Sequence, residues 1–223
     1  MTLMSNARTE SAEPCGGTTS LHLNLLSRIH AGYVYERRVR ILAELLAARL
    51  PPGAEVLDVG TGDGLIAHMI QRQRPDIRVR GIEAFLRKES FIPIESFDGR
   101  TIPFADASFD VVMFVDVLHH TEEPLAMLRE AVRVTRKSVL IKDHTADGPF
   151  ARGVLRLMDW VGGARHGYAL PYNYLSSKEW AEAIRALGLT IASWQSTLSL
   201  YPWPATWLFD SSLHFLADLE KPN

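Results

Sequence analysis

The sequence has little that would support export, membrane insertion or nucleic-acid binding. Its 223 residues contain one cysteine, Cys15, so no intramolecular disulfide can form and no second thiol could complete a metal cluster. No apolar run approaches the roughly 18 residues that span a bilayer, and the first residues lack the apolar segment of a signal peptide. A formal net charge of −2 gives no overall attraction to nucleic acid. We therefore expect a cytoplasmic protein with no nucleic-acid partner and no membrane span, whose oligomeric state is open, a homodimer being one option.

The composition is that of a globular protein. Hydrophobic residues make up 47% of the chain and charged residues 22%, which suffices for a sizeable core. Residues 1–20 are polar, with scattered apolar side chains, and are expected to form a disordered N-terminal tail. Residues 21–223 have the length of a single α/β domain.

Short apolar runs alternate with segments of helical periodicity along the chain. The run EVLDVG at 55–60 predicts a strand, and apolar residues recur at helical spacing over 65–73. Pro93 lacks a backbone N–H and favours an edge position for its strand, whereas the continuous apolar run at 110–117 favours the sheet centre. The fold class expected is α/β, with a mostly parallel seven-stranded sheet and helices on both faces. The other predicted strands cover 79–83, 91–97, 138–144, 189–198 and 213–220.

A glycine-rich loop follows the first predicted strand. In VLDVGTGDG, Gly60, Gly62 and Gly64 lie between a strand and a helix, where glycine allows a tight turn and close approach of a ligand to the backbone. Glu83 lies nineteen residues beyond Gly64 at the end of the next strand, where an acidic residue can accept hydrogen bonds from a ribose diol. The pattern predicts an adenosine-containing ligand.

Acidic residues beside the loop narrow the choice of ligand. Asp58 and Asp63 flank the glycines, and carboxylates this close would repel a diphosphate. A cationic or zwitterionic ligand suits the loop better. The spacing is GxGxG, whereas dinucleotide-binding loops have GxGxxG. Both observations count against a dinucleotide-dependent oxidoreductase, which is the alternative function.

Several ordered sequence blocks resemble the class I S-adenosylmethionine-dependent methyltransferases, which have a Rossmann-like fold. The blocks are VLDVGTGDG with Glu83, FDGRTIPFADASFDVV at 97–112, VDVLHHTEEP at 115–124 and LREAVRVT at 128–135. The resemblance covers residues 35–145 most strongly. It implies that S-adenosylmethionine is the cofactor.

The resemblance also implies a role for individual residues. The methionine moiety and the sulfonium would lie against Gly60, Thr61 and Gly62, beside Asp58. Glu83 would bind the ribose hydroxyls, and Asp98 with Gly99 would contact the adenine amino group. Asp116 and Val117 would begin the segment that approaches the transferred methyl.

Histidines near this segment are candidates for a general base. His119 and His120 follow Val117, and His144 ends a predicted strand, where ligands collect in open α/β sheets. Adjacent side chains on an extended backbone point to opposite faces, so we expect that His119 and His120 do not bind one metal together and that at most one of them faces the acceptor. No metal site is expected.

The expected function is transfer of a methyl group to a small aromatic or apolar acceptor, with the elements from about residue 145 onward on the acceptor side. A protein that binds S-adenosylmethionine without catalysis, as a regulator, is a second alternative. The last third of the chain is rich in aromatic residues that could form a lid or a satellite core, namely Trp160, Tyr168, Tyr172, Tyr174, Trp203 and Trp207.

Overall fold

The structure is a computed structural model that describes the backbone of residues 17–163, 171–203 and 213–222, with side chains from residue 32 to residue 159 and in the two later ranges. The chain divides into two compact units, Met1–Glu36 and Arg37–Asn223, and the sheet lies in the second. Residues 1–16 of the predicted tail lie outside the described residues, and residues 17–20 belong to the first helix. The boundary predicted at residue 20 stays a prediction.

The described elements alternate between helix and strand. None of the described helices is both long enough and apolar enough to cross a membrane. In chain order the elements are α1 (Gly17–Ala47), β1 (Glu55–Val59), α2 (Leu65–Gln73), β2 (Arg78–Glu83), β3 (Ile94–Ser96), β4 (Phe109–Val115), a 3₁₀ turn (Leu118–His120), α3 (Pro124–Val134), β5 (Thr135–His144), α4 (Ala151–Gly163), α5 (Ser177–Ala186), β6 (Thr190–Gln195) and β7 (His214–Glu220).

The strands form one seven-stranded sheet in the order β3-β2-β1-β4-β5-β7-β6. All neighbouring strands are parallel except for the antiparallel pairs that β7 makes with β5 and β6. The predicted mostly parallel seven-stranded sheet is confirmed, as are the edge position of β3 and the central position of β4. The chain order reverses between β1 and β4, and a crevice at the carboxyl ends of such strands is where ligands bind in open α/β sheets.

Both faces of the sheet are covered, as the alternation along its central strands requires. Leu57 and Val112 belong to one core cluster, whereas their chain neighbours Val56 and Val111 belong to the other. Because successive side chains of a strand point to opposite faces, the continuous apolar runs of β1 and β4 serve two cores at once. The two core clusters agree with the predicted helices on both faces of the sheet.

Helix α5 is fixed by a cap at its first turn and by a hydrogen bond to β5. The Ser176 side chain accepts a hydrogen bond from the backbone N–H of Glu179, and the Glu179 carboxylate accepts one from the Ser176 N–H at 2.7 Å. This reciprocal cap is the one that the sequence predicts for the start of the helix. Trp180, one turn into α5, donates its indole N–H to the backbone carbonyl of His144 at 2.9 Å. The helix is thereby tied to the carboxyl end of β5.

Candidate functional site

The glycine loop leaves the carboxyl end of β1 with its backbone in the left-handed region. Gly60, Gly62 and Gly64 have φ values of 72°, 66° and 78°. A Cβ on Gly60 would lie 2.6 Å from Cγ2 of Val117, too close for any other residue to be accommodated without movement. Gly60 is therefore required both by its dihedral angle and by the approach of Val117, which comes from the segment after β4.

Glu83 closes the loop from the end of β2. Its carboxylate accepts hydrogen bonds from the backbone N–H of Gly62 at 2.8 Å and from that of Phe85 at 3.1 Å. A carboxylate offers about four acceptor positions, so about two remain for a ligand diol. The side chain that the sequence assigns to ribose thus lies directly against the loop.

Asp58 lies beneath the loop, buried within β1. The Thr61 hydroxyl donates a hydrogen bond to its carboxylate at 2.5 Å. Burial raises the pKa of Asp58 to about 7, against the opposing effect of the Thr61 hydrogen bond and with a contribution from the charge of Glu83. Room for Thr61 comes from Gly81 in β2, since a Cβ there would lie 2.7 Å from Cγ2 of Thr61. Sequence reasoning did not single out Gly81, although a glycine inside a strand often marks a close approach.

Asp98 and Gly99 follow β3, the strand next to β2. The backbone N–H of Phe97 donates to the carbonyl of Glu83 at 3.3 Å, which holds the start of this turn beside the end of β2. The Asp98 carboxylate accepts the N–H groups of Arg100 at 2.8 Å and Thr101 at 2.7 Å. These two backbone hydrogen bonds, first that from Thr101, lower the pKa of the exposed Asp98 carboxyl. Asp98 thus forms an Asx turn at the edge of the crevice.

Asp116 directly follows β4 and has a φ of 57°, unusual for a residue other than glycine. Its carboxylate forms ion pairs with Arg38 and with the fully buried Lys142 of β5. Although burial opposes ionisation, the charges of Lys142 and Arg38 hold the pKa of Asp116 well below its usual range. Asp116 is therefore an anion fixed at the switch point of the sheet, with Val117 next to it against Gly60.

Histidine side chains collect at the carboxyl ends of β4 and β5. The ring of His119 lies 3.9 Å from that of His120 and 4.7 Å from that of His144, centroid to centroid. The prediction that His119 and His120 point to opposite faces is wrong, because they lie on a 3₁₀ turn rather than on extended backbone. In that turn the two rings come together.

Carboxylates surround this histidine cluster, made of His119, His120 and His144. Nδ1 of His119 lies 2.6 Å from Oδ1 of Asp143, and Nε2 of His119 lies 3.5 Å from Oδ2 of Asp159. Nε2 of His119 has no hydrogen-bond partner among the residues that the structure describes, although the side chain is only 2% exposed. The Tyr174 hydroxyl donates to the Asp159 carboxylate.

These neighbours give the three histidines different pKa values. Burial lowers the pKa of His119, but the facing Asp143 carboxylate outweighs it and the net shift is upward. Burial and the charge of Lys142 lower the pKa of His144, and burial together with the nearby His119 lowers that of His120. His120 and His144 are therefore the members that favour the neutral form.

Sequence reasoning missed the charged partners of the site. Lys142 and Asp143 are buried in β5 directly after the apolar residues 139–141, and two charges in a predicted strand were a usable signal. Arg38 on α1 and Asp159 on α4 had no such signal, because each stands on a helix with other polar residues. Tyr174 is buried beside His119, with the two rings stacked at 5.3 Å. Of the other predicted aromatics, Trp203 is exposed, whereas Tyr168, Trp207 and the side chain of Trp160 lie outside the described residues.

A cavity of about 330 Å³ opens next to the histidine cluster. His214, whose ring lies 4.7 Å from that of His144, is one of its walls, and Thr145 is another. The remaining lining residues are Asp147, Ser177, Trp194, Ser196, Leu213 and Phe215. The cavity adjoins the histidine cluster through His214, and neither a cluster histidine nor a residue of the glycine loop lines it. Its volume is in the range of small-molecule sites.

Comparison with known proteins matches residues 30–193 to the family described as "Methyltransferase domain". An uncharacterized methyltransferase of Mycobacterium sp. strain JLS is 32% identical over 163 residues, which cover 61% of this chain and 64% of the relative. The chain thus spans less than two thirds of that relative. The 27-O-demethylrifamycin SV methyltransferase of Amycolatopsis mediterranei is 30% identical over 129 residues, covering 48% of this chain and 47% of the relative.

A solved structure gives the same picture of the fold. The 1,6-didemethyltoxoflavin-N1-methyltransferase of Burkholderia thailandensis, solved with 1,6-didemethyltoxoflavin and S-adenosylhomocysteine bound, superposes with a TM-score of 0.59. The superposition covers 97% of this chain and 94% of that chain at 21% sequence identity. At this identity the similarity concerns the fold.

Proposed function

Because the chain belongs to the class I S-adenosylmethionine-dependent methyltransferase family, we propose that it transfers the methyl group of S-adenosylmethionine to a small aromatic or apolar acceptor. One observation carries the proposal. The Glu83 carboxylate and the Gly60–Gly62 backbone meet at the carboxyl end of β1, and the same loop touches Val117 after β4. A nucleoside held on Glu83 would therefore extend toward the segment that leads into the histidine cluster.

The loop suits the cationic end of the cofactor. We place the methionine and sulfonium against Gly60, Thr61 and Gly62, where backbone without side chains allows close approach. Asp58 beneath Thr61 supplies a carboxylate that titrates near pH 7. A carboxylate favours a sulfonium and disfavours a diphosphate, which supports S-adenosylmethionine over a dinucleotide.

Residues at the ends of the neighbouring strands are proposed to bind the ribose and the adenine of the cofactor. We assign the ribose hydroxyls to the remaining acceptor positions of Glu83, and the adenine amino group to Asp98 with Gly99 at the next strand end. Asp116 and Val117 would face the transferred methyl. In this arrangement the ligand crosses the carboxyl ends of β3, β2, β1 and β4 in sheet order.

The chemistry asks mainly for positioning. The sulfonium is already reactive, so the protein holds acceptor and methyl in line and excludes water. An amine acceptor needs no strong base, whereas a hydroxyl acceptor must lose its proton. His119, His120 and His144 are the candidates for that proton, and the lowered pKa values of His120 and His144 keep these two neutral.

The acceptor side is proposed to comprise the elements from about residue 145 onward. Tyr174 stacks on His119, and the ring of Tyr172 lies 5.8 Å from that of His120, so flat aromatic surfaces adjoin the reacting groups. The cavity beside His144 would admit a small molecule. The relative named for 27-O-demethylrifamycin SV supports a small-molecule acceptor.

The cellular setting is proposed from composition. A single cysteine fits a reducing cytoplasm, and the net charge of −2 argues against a nucleic-acid acceptor. The proposed domain organisation is a tail at residues 1–20 followed by a single methyltransferase domain at residues 21–223.

Calorimetry and turnover test the proposal in two steps. The full chain is titrated with S-adenosylmethionine, S-adenosylhomocysteine and NAD, and the first two are expected to bind while NAD does not. Transfer of the methyl of isotopically labelled S-adenosylmethionine is then followed by mass spectrometry across a panel of phenols, hydroxylated macrocycles and heteroaromatic amines. Preferential NAD binding would overturn the cofactor assignment, and cofactor binding without turnover on any acceptor would favour a regulatory protein.

A further inference from the structure

Three potential ligand atoms converge near the carboxyl ends of β4 and β5 in a way that methyl transfer does not require. One ligand atom from each of His119, His120 and Asp159 lies within 4.8 Å of the others. His119 and His120 belong to the 3₁₀ turn that follows Val117, whose side chain contacts Gly60 of the loop, and Asp159 comes from α4. Two imidazoles and one carboxylate are the donor set of zinc and ferrous sites with open coordination positions.

Each imidazole is oriented as metal-binding histidines are. Nδ1 of His119 is engaged by Asp143 at 2.6 Å, which leaves Nε2 to point toward Oδ2 of Asp159. Nδ1 of His120 lies 3.3 Å from the backbone carbonyl of Pro171 and donates to it, which leaves Nε2 of that ring with its lone pair. A carboxylate or a carbonyl on the far nitrogen is the usual outer partner of a histidine ligand.

His119, Asp143 and His144 form a second group of potential ligands, and the spacing of the atoms distinguishes the two groups. Ligand atoms around a tetrahedral zinc ion with bonds near 2.0 Å lie about 3.3 Å apart. Nε2 of His119 and Oδ2 of Asp159 are 3.5 Å apart, whereas Nδ1 of His119 and Oδ1 of Asp143 are hydrogen-bonded at 2.6 Å. Asp143 is therefore placed as the outer partner and Asp159 as the ligand.

A buried nitrogen that makes no hydrogen bond within the described part of the chain points to the same place. Nε2 of His119 makes no hydrogen bond to any described residue, and the side chain is 2% exposed. A buried polar atom without a partner is costly, and a cation at this position would satisfy it. Tyr174 donates to Oδ2 of Asp159, which retains a second lone pair for an ion.

We propose that His119, His120 and Asp159 bind one divalent metal ion of the zinc class, with Asp143 positioning His119. The three protein ligands leave a coordination position open. This assignment goes beyond the proposed methyl transfer and makes His119 and His120 ligands rather than bases. If the chain methylates a hydroxyl, that oxygen would occupy the open position and the ion would ease loss of its proton. His144 would then be the remaining member of the histidine cluster that could accept the proton.

Zinc binding by the tag-free full chain tests the proposal. The protein is stripped with a chelator, dialysed and titrated with zinc chloride by calorimetry, with zinc content measured by mass spectrometry. We expect one zinc per chain, and a loss of more than about 100-fold in affinity in His120→Gln and Asp159→Asn. Asp143→Asn should lower affinity by about 10- to 100-fold through the orientation of His119. Cobalt substituted at the site should give a visible absorption band that Asp159→Asn abolishes.

His68→Gln is the matched control, because His68 lies on α2 and outside the cluster. It should bind zinc like the wild type. Absence of stoichiometric zinc binding in the wild type would overturn the proposal, as would zinc binding that His120→Gln and Asp159→Asn leave unchanged. S-adenosylmethionine titrations of the same samples show whether each variant is folded. They also separate a failed metal assignment from a failed cofactor assignment.

Discussion

The Glu83 carboxylate accepts a hydrogen bond from the backbone N–H of Gly62 across 2.8 Å, so the residue proposed to bind ribose also fixes the loop proposed to bind methionine. Replacing Glu83 by alanine removes both roles. We expect Glu83→Ala to weaken S-adenosylmethionine binding by about 1 to 3 kcal/mol, the range for losing hydrogen bonds to a charged group. Glu83→Gln keeps one acceptor oxygen and should lose less. Calorimetry gives both values.

Glu95→Ala is the matched control for this change. Glu95 lies on the adjacent strand β3 and is exposed, and its carboxylate pairs with Arg80. Its removal should leave the dissociation constant unchanged. Equal losses in Glu83→Ala and Glu95→Ala would mean that general electrostatics, rather than ribose contact, accounts for the effect.

Gly60 is expected to tolerate no side chain. A Cβ would lie 2.6 Å from Cγ2 of Val117, and the φ of 72° disfavours other residues. The left-handed conformation alone costs roughly 1–2 kcal/mol in Gly60→Ala, and the clash adds to it. In Gly60→Val the larger side chain should also fill the approach space and abolish cofactor binding. Thermal unfolding and calorimetry measure the two effects.

Gly53→Ala separates the dihedral cost from the clash. Gly53 has a φ of 66°, and a Cβ there would meet nothing within 4 Å. It should lose stability but keep cofactor affinity. The double variant Gly60→Ala with Val117→Ala should recover part of the stability that Gly60→Ala loses. Additive effects of these two substitutions would contradict the contact.

The sheet was predictable because each of its features leaves a local trace. The double-sided core of β4 shows as a continuous apolar run, and the edge position of β3 shows in Pro93. The reciprocal cap at Ser176 is specified by four consecutive residues, Ser176 to Glu179. Such features depend on neighbours in the chain, so a single sequence carries them.

The charged side of the candidate site was not predictable in the same way. Asp116 meets Arg38 from 78 residues earlier in the chain, and Asp159 reaches His119 from a different helix. The mistaken geometry of His119 and His120 arose because the 3₁₀ turn has no periodic signature in three residues. Contacts that depend on tertiary packing leave no spacing rule in the sequence.

Asp116 is expected to be needed for stability because it neutralises a buried cation. Lys142 is fully buried and its ammonium pairs with Asp116. Asp116→Asn would leave the buried Lys142 ammonium without its carboxylate, and breaking a buried ion pair lowers the free energy of unfolding by about 3–5 kcal/mol. Asparagine tolerates the positive φ of this position, so backbone strain should not contribute. Denaturant unfolding measures the loss.

A double-mutant cycle tests the pairing itself. Asp116→Asn together with Lys142→Met removes both charges and should cost less than the sum of the single changes. Glu122→Gln breaks the exposed pair between Glu122 and Arg100 and should change stability by about 1 kcal/mol or less. Strict additivity of Asp116→Asn and Lys142→Met would show that a group other than Asp116 neutralises Lys142.

Asp58 should make cofactor binding depend on pH. Burial raises its pKa to about 7, so the folded chain without ligand holds this proton below that pH and releases it above. A sulfonium nearby favours the carboxylate, which means that binding expels the proton and is weaker at pH 6 than at pH 8. If binding lowers the pKa of Asp58 by one unit from about 7, affinity rises about fivefold between pH 6 and pH 8.

S-adenosylhomocysteine provides the reference for this pH effect, because it shares the amino acid and adenosine groups and lacks the sulfonium charge. The ratio of the two dissociation constants, homocysteine form over methionine form, should therefore rise with pH through 7 in the wild type. Titration of the shared ligand groups cancels in the ratio. In Asp58→Asn the side chain cannot ionise, and the ratio should be constant from pH 6 to pH 8. A ratio that rises equally in Asp58→Asn would place the titrating group elsewhere, since no charge at position 58 could then discriminate between the two ligands.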